Sequence, residues 1–326
     1  MVYLECEKIR KLEKTYPPQT METAQTISDA AKSIISDLPY NYPSRSASNI
    51  KAVRAAARTY IERQVEKALD YYETKITPKS INGVNCLTVS PKKQLANWKI
   101  FYIFGGGFVS GSAYEDLTIA APISSITGAE IILPEYRLAP EHPWPAASDD
   151  TMAVYSELSE NCPAILGESA GGNLALVNML KAKKRGLKLP VAAALISPWC
   201  NLTNLGDSMI FNDGRDPTLS LRQSNMAASH YASGQNLINP EISPIFGDYS
   251  TPFPNFYIST GTRDLLLSQS IQLASKLRAN DISVELNIWE GLWHVFEWNI
   301  DLPESILSIR QISDFLTKTV AKSKSC

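Results

Sequence analysis

From about residue 70 onward the chain keeps repeating one alternation, a short run rich in β-branched and aromatic residues followed by a helix-length amphipathic stretch. That alternation predicts an α/β fold with a mostly parallel sheet covered on both faces. The β-like runs are eight: 72–77, 84–89, 99–104, 130–134, 164–167, 192–197, 255–259 and 284–289. Helices are expected near 113–127, 146–159, 170–185, 267–279 and 304–321. With 326 residues, 44% of them hydrophobic and 20% charged, the chain is long enough to bury a large core, and one domain over 1–326 accounts for all eight runs.

Two segments stand outside the alternation. Residues 1 to about 69 read as helical, with Ile50, Val53, Ala57, Ile61 and Val65 spaced three or four apart ahead of Asp70. Residues 205 to about 240 form an insertion between the sixth and seventh runs, rich in Asn, Ser, Gly and Asp, and read as a helical excursion over the sheet. Together the two segments are expected to build a lid.

Several functional classes are disfavoured at once. Net charge is −2 with dispersed Lys and Arg, so nucleic acid is not an expected partner. The group Lys181, Lys183, Lys184 and Arg185 before Gly186 reads as the end of a helix, where cations complement the helix dipole. The five cysteines are odd in number and show no C-x-x-C spacing, which predicts reduced thiols in the cytoplasm. The opening "MVYLECEKIRKLEKTYPP" lacks a signal peptide's apolar core, and no stretch reaches the roughly 18 apolar residues that a membrane span needs.

The chemistry is concentrated in "AILGESAGGNLAL", where Gly167 to Gly171 match G-x-S-x-G between a β-like run and a helix-like run. In that context the pattern is a nucleophile elbow, and the small residues Gly167, Ala170, Gly171 and Gly172 give the strained turn room. A serine hydroxyl needs a base, and the chain has three histidines, His142, His230 and His294. His142, between prolines in "APEHPWP", reads as structural, and His230, in the insertion, as a solvated or lid residue. His294 follows the last β-like run and lies downstream of Ser169, which makes it the candidate base. Asp264 in "STGTRDLLLSQS", just past the seventh run, completes the order Ser, acid, His; it can also cap the helix that follows. All three candidates lie past the C-terminal ends of different strands, where open α/β sheets place their sites.

A second signal is "WKIFYIFGGGFVSG", with Gly105, Gly106 and Gly107 directly after a β-like run. A dinucleotide fingerprint fails because its third glycine position is Ser110, and a P-loop fails for want of a Lys followed by Ser or Thr. No H-E-x-x-H or other metal-ligand spacing occurs, so neither metal nor cofactor is expected. Backbone donors for an oxyanion are the reading that survives.

Four motifs together, "FGGGF" at 104–108, "YRLAPEHPWPAA" at 136–147, "GESAGG" at 167–172, and the pair "GTRDLL" and "WHVF" around Asp264 and His294, resemble the hormone-sensitive lipase family of α/β-hydrolases, its bacterial-type carboxylesterases in particular. The resemblance implies an α/β-hydrolase fold with a helical cap from about 1–55 and about 205–240. It implies a triad of Ser169, Asp264 and His294, and an oxyanion hole from the N–H groups of Gly106, Gly107 and Ala170. The activity it implies is hydrolysis of short- to medium-chain carboxylic esters through an acyl-enzyme, with lactone or amide hydrolysis, or ligand binding without catalysis, as alternatives on the same fold. It also favours a homodimer. Three positions depart from the family pattern: Phe104 stands where His is usual, Val295 where Gly is usual, and Ser268 where a second Asp is frequent. A phenyl ring cannot make the hydrogen bonds with which that histidine braces the glycine loop.

Overall fold

The computed structural model describes residues 23–36, 48–161, 164–250 and 252–323. Its strands are β1 (Thr74–Ile81), β2 (Val84–Pro91), β3 (Lys99–Ile103), β4 (Glu130–Pro134), β5 (Ala164–Glu168), β6 (Ala192–Ile196), β7 (Asn255–Gly261) and β8 (Val284–Trp289). They form one sheet in the order β1-β2-β4-β3-β5-β6-β7-β8. Pairing is antiparallel for β1 with β2 and β2 with β4, and parallel elsewhere.

All eight expected runs are strands of this sheet. The first, expected at 72–77, instead covers Thr74–Ile81 and runs through Pro78. The reason is a two-residue hairpin: Ile81 pairs with Val84, and the intervening Asn82 and Gly83 both take positive φ, 47° and 82°, as a type I′ turn requires. Pro78 is tolerated because β1 is an edge strand.

Helices α1 (Asp29–Ser36) and α2 (Ile50–Tyr71) precede the sheet, and α3 (Leu117–Thr127), α4 (Ala146–Leu158) and α5 (Ser169–Arg185) alternate with its strands. In the insertion lie α6 (Asp207–Phe211) and α7 (Leu221–Ala232), followed by α8 (Leu267–Arg278) and α9 (Pro303–Ser323). Helix α3 packs on α9, and α4 on α5. Residues on both sides of β5 and β6 are buried along their whole length, so both faces of the sheet are covered and the strands read as unbroken apolar runs. The cationic group at 181–185 ends α5, closed by Gly186 in the left-handed region.

On α2, the expected apolar face is buried at Ile50, Ile61 and Val65, with Ala68 continuing it. The remaining residues of the expected N-terminal helical segment, 1–22 and 37–47, lie outside the described residues. Ala31 and Ile35 of α1, with Ile27 just ahead of it, pack on Trp293, Phe296 and Leu302, which seats the helix beside the loop after β8. Among the described residues no helix is long and apolar enough to cross a membrane.

Candidate active site

Ser169 begins α5 directly after β5 and has φ 51°, a conformation forced by the reversal from strand to helix within one residue. The turn closes only because Gly167 and Gly171 lack side chains: a Cβ on Gly171 would come within 1.9 Å of the Ile103 carbonyl oxygen, and one on Gly167 within 2.4 Å of the Gly171 carbonyl oxygen. From the other side the Trp199 N–H donates to the Ser169 carbonyl at 2.9 Å.

His294 follows β8 and Asp264 follows β7, and the structure brings both to Ser169. The His294 Nε2 atom is 2.9 Å from Ser169 Oγ, and Nδ1 is 3.1 Å from Asp264 Oδ1. Asp264 is completely buried; its Oδ2 accepts from Thr260 Oγ1 at 2.8 Å and its Oδ1 from the Leu266 N–H at 2.8 Å. Its alternative expected role is met only in part, since α8 starts beyond Leu266 and the carboxylate braces the turn ahead of the helix. Burial opposes its ionisation, but the His294 ring, the Ser197 hydroxyl and the Leu266 N–H outweigh that and hold its pKa below the usual carboxylate value. Burial likewise opposes the His294 imidazolium, while Asp264, then Asp216 and Glu297, hold its pKa above its ordinary 6.5. With the ring proton on Nδ1, the imidazole donates to Asp264 and accepts from the serine hydroxyl, an arrangement able to take the hydroxyl proton during nucleophilic attack.

The other two histidines lie elsewhere. His142 is exposed in the turn after β4, and His230 is in the last turn of α7.

Gly106 and Gly107 line the same cavity as Ser169, and Ala170 is the next residue of the elbow. Gly106 has φ 93°, and a Cβ there would come within 2.1 Å of the Ser110 carbonyl oxygen. Among the described residues no acceptor is found for the N–H of Gly106 or Gly107, and the Ala170 N–H belongs to the first turn of a helix, whose donors lack intrahelical acceptors. Phe104 is buried and stacks on Tyr136, with ring centroids 4.1 Å apart. The Tyr136 hydroxyl donates toward the carbonyls of Phe104 at 2.9 Å and Gly105 at 3.1 Å. Gly105 in turn donates its N–H to Glu168 Oε1 at 2.5 Å, tying the glycine loop to the residue before the serine.

Beyond the glycines, Phe108 takes φ 63° and stacks on Tyr231 of α7 at 3.7 Å, which joins the insertion to the loop. Val295, at φ 49°, is a β-branched residue in the left-handed region, where a glycine carries no steric penalty. With Ser197 at 47°, four non-glycine residues of positive φ surround the site. Tyr136, Glu168 and Asp216 are site residues that the sequence reading did not assign. Two of them stood inside quoted motifs, but only the fold reveals what they touch.

The cavity over Ser169 has a volume of about 390 Å³, within the size of small-molecule sites. Helix α2 lines it with Tyr60, Ile61 and Gln64, and the insertion with Leu219, Gln223 and Ala227. Among the described residues no group of three His, Cys, Asp or Glu side chains is placed to hold a metal ion.

Residues 100–298 match a family described as having the alpha/beta hydrolase fold. An esterase of Acinetobacter venetianus is 30% identical over 250 residues, covering 74% of this chain and 82% of its own. An acetyl-hydrolase of Streptomyces hygroscopicus is 30% identical over 67% of this chain and 74% of its own. Among solved structures, esterase EstE5, soaked with p-nitrophenyl butyrate, superposes with a TM-score of 0.81 at 30% identity, covering 90% of this chain and 97% of its own. A hormone-sensitive lipase from a metagenome library superposes at 0.80 with 29% identity over the same shares of the two chains.

Proposed function

The chain belongs to the hormone-sensitive lipase family of α/β-hydrolases and is a carboxylic ester hydrolase, and from that premise we propose a serine mechanism acting on short- to medium-chain esters. The observation that supports it is the contact series Ser169 Oγ, His294 Nε2, His294 Nδ1, Asp264 Oδ1 at 2.9 and 3.1 Å. In this reading Ser169 attacks the ester carbonyl while its proton passes to His294 Nε2. Asp264 keeps the ring in the required tautomer and stabilises the imidazolium. The N–H groups of Gly106, Gly107 and Ala170 receive the charge that develops on the carbonyl oxygen. His294 then returns its proton to the leaving alcohol, and the acyl-enzyme is hydrolysed by a water that His294 activates in the same way.

Helices α1 and α2 and the insertion act as the cap. A cavity of about 390 Å³ walled by Ile61, Leu219 and Ala227 favours a short or medium acyl chain over a long one. The described cysteines, Cys86 and Cys200, are buried free thiols, the state a reducing cytoplasm maintains. A series of aryl esters of increasing acyl length, run beside a lactone and an anilide, tests the substrate reading. We expect kcat/KM to peak at a short or medium chain and to fall for longer ones, with the lactone and anilide slower. A peak at long chains, or faster lactone turnover, would overturn it.

A further inference from the structure

The stretch between α6 and α7 grips the backbone on both sides of Asp264. Asn212 Nδ2 donates to the carbonyls of Thr262 at 3.1 Å and Asp264 at 2.8 Å. Asp216 Oδ2 accepts the Leu265 N–H at 2.9 Å. The other oxygen, Oδ1, accepts the N–H of Thr218 at 2.9 Å and that of Leu219 at 3.3 Å. Thr218 Oγ1 lies 2.9 Å from Asp216 Oδ1 and 3.1 Å from the His294 carbonyl, so its single proton is shared between them. Pro217, Thr218 and Leu219 also line the cavity over Ser169. One short segment therefore touches the acid loop, the histidine loop and the space for substrate.

Asp216 is completely buried, and burying a carboxylate is unfavourable unless its oxygens are satisfied. A simple turn-bracing role would need only one acceptor, which Asn or Ser supplies as well. Here both oxygens face N–H donors, so an amide would turn its NH₂ against one of them, and only a carboxylate accepts on both sides. Its charge also lies beside the pair that changes protonation in catalysis.

We propose that Asp216 is a positioning residue of this active site, a carboxylate from the insertion that seats the Asp264 and His294 loops together and supports the imidazolium formed when His294 takes the Ser169 proton. The proposal rests on the triad reading above. Burial and then Asp264 push Asp216 up to about 6, while His294 pulls it down, so the carboxylate is mostly ionised at neutral pH. The groups acting on His294 are Asp264 on the loop after β7, Asp216 on the insertion, and Glu297 on its own loop. Arg215, next in the chain, and Arg263, next to Asp264, act on one another, with Glu290 beyond.

The test is the pH dependence of kcat/KM for a short-chain aryl ester. Asp216→Asn is expected to lower kcat about tenfold with KM within about twofold, and to move the acid limb to lower pH by roughly half a unit, because His294 loses a neighbouring negative charge. Asp216→Glu, which keeps the charge, should leave the limb in place. Thr218→Val removes the hydroxyl but no charge, and should lower kcat without moving the limb. If Asp216→Asn does not fold, Asp216→Ser is read against Asp216→Glu in the same way. An unmoved limb in the neutral variants, or an equal movement in Thr218→Val, would overturn the proposal and leave Asp216 a structural brace. Ser169→Ala separates the two levels: full turnover in that variant would refute the triad reading itself, whereas a dead Ser169→Ala together with an unmoved limb in Asp216→Asn refutes only the role of Asp216.

Discussion

Phe104 occupies a position where a phenyl ring has to do without hydrogen bonds, and the structure supplies them from Tyr136. The two rings stack at 4.1 Å, and the phenol reaches past the ring to the carbonyls of Phe104 and Gly105. Tyr136→Phe keeps the stack but leaves those carbonyls without that donor, at a cost of about 1–3 kcal/mol in a buried setting. The expected result is a kcat about tenfold lower with KM little changed, measured on a short-chain aryl ester. Phe104→His should retain activity within about tenfold, because the proposed oxyanion donors are backbone groups, and its main cost should be a lower melting temperature from a buried imidazole. Complete loss of activity in a folded Phe104→His would mean that the ring itself shapes the loop. Tyr136 was in view in the sequence as the first residue of "YRLAPEHPWPAA", yet its role was not. A motif fixes which element a residue sits on, not which loop its hydroxyl meets.

Among the elements, α2 shows what a pattern of hydrophobic spacing leaves out. Its apolar face was legible from residues three and four apart, but its docking on the glycine loop depends on Arg54, a polar residue. Arg54 Nε donates to the Val109 carbonyl at 2.8 Å, Nη2 to the Ala139 carbonyl at 2.9 Å, and the guanidinium forms a two-point pair with Glu141. Since α2 also contributes Tyr60, Ile61 and Gln64 to the cavity wall, Arg54→Ala should raise KM several-fold with a smaller effect on kcat. Arg54→Lys should rescue only part of this, because an ammonium cannot reproduce the planar fork. A kcat-only defect would contradict this account of α2. The β1–β2 hairpin teaches the converse. Asn82-Gly83 is a turn signal that the reading of the runs did not use, and the strand extends farther than its apolar residues because turn geometry sets the register.

Across the whole molecule, the least legible feature is a set of buried carboxyls beneath the site. Asp116, Glu168 and Glu297 are scattered through the sequence, and nothing in their local patterns marks them as buried. Desolvation pushes Asp116 up to about 8 and Glu297 up to about 7, and raises Glu168 well above the carboxylate range. A folded-state pKa above the unfolded value means that the fold binds more protons between the two, so stability falls as pH rises through that window. For Glu297, moving from 4.5 to about 7 corresponds to roughly 3 kcal/mol lost by pH 8. His294, also raised, acts in the same direction. The melting temperature should therefore decline between about pH 5 and pH 8. Glu297→Gln, whose amide oxygen can still accept from Ser259 and Ser308, should flatten the decline and raise the melting temperature at pH 8. A melting temperature that climbs across this range would contradict the assignment.

The eight strands and the convergence of three loops were legible because the runs and the motifs past their ends are local signals, whereas the order of the strands in the sheet came only from the structure. The braces at Tyr136, Arg54 and Asp216 were not, because each joins residues distant in the chain through a polar contact that no periodicity encodes. The account as a whole stands on Ser169 as the nucleophile. Intact-protein mass spectrometry after rapid quenching with a slow aryl ester should find the chain heavier by one acyl group, with the modification on the peptide that contains Ser169. Ser169→Ala should carry no acyl group and lose essentially all turnover. An acyl group on another residue, or near-wild-type turnover by Ser169→Ala, would contradict the mechanism.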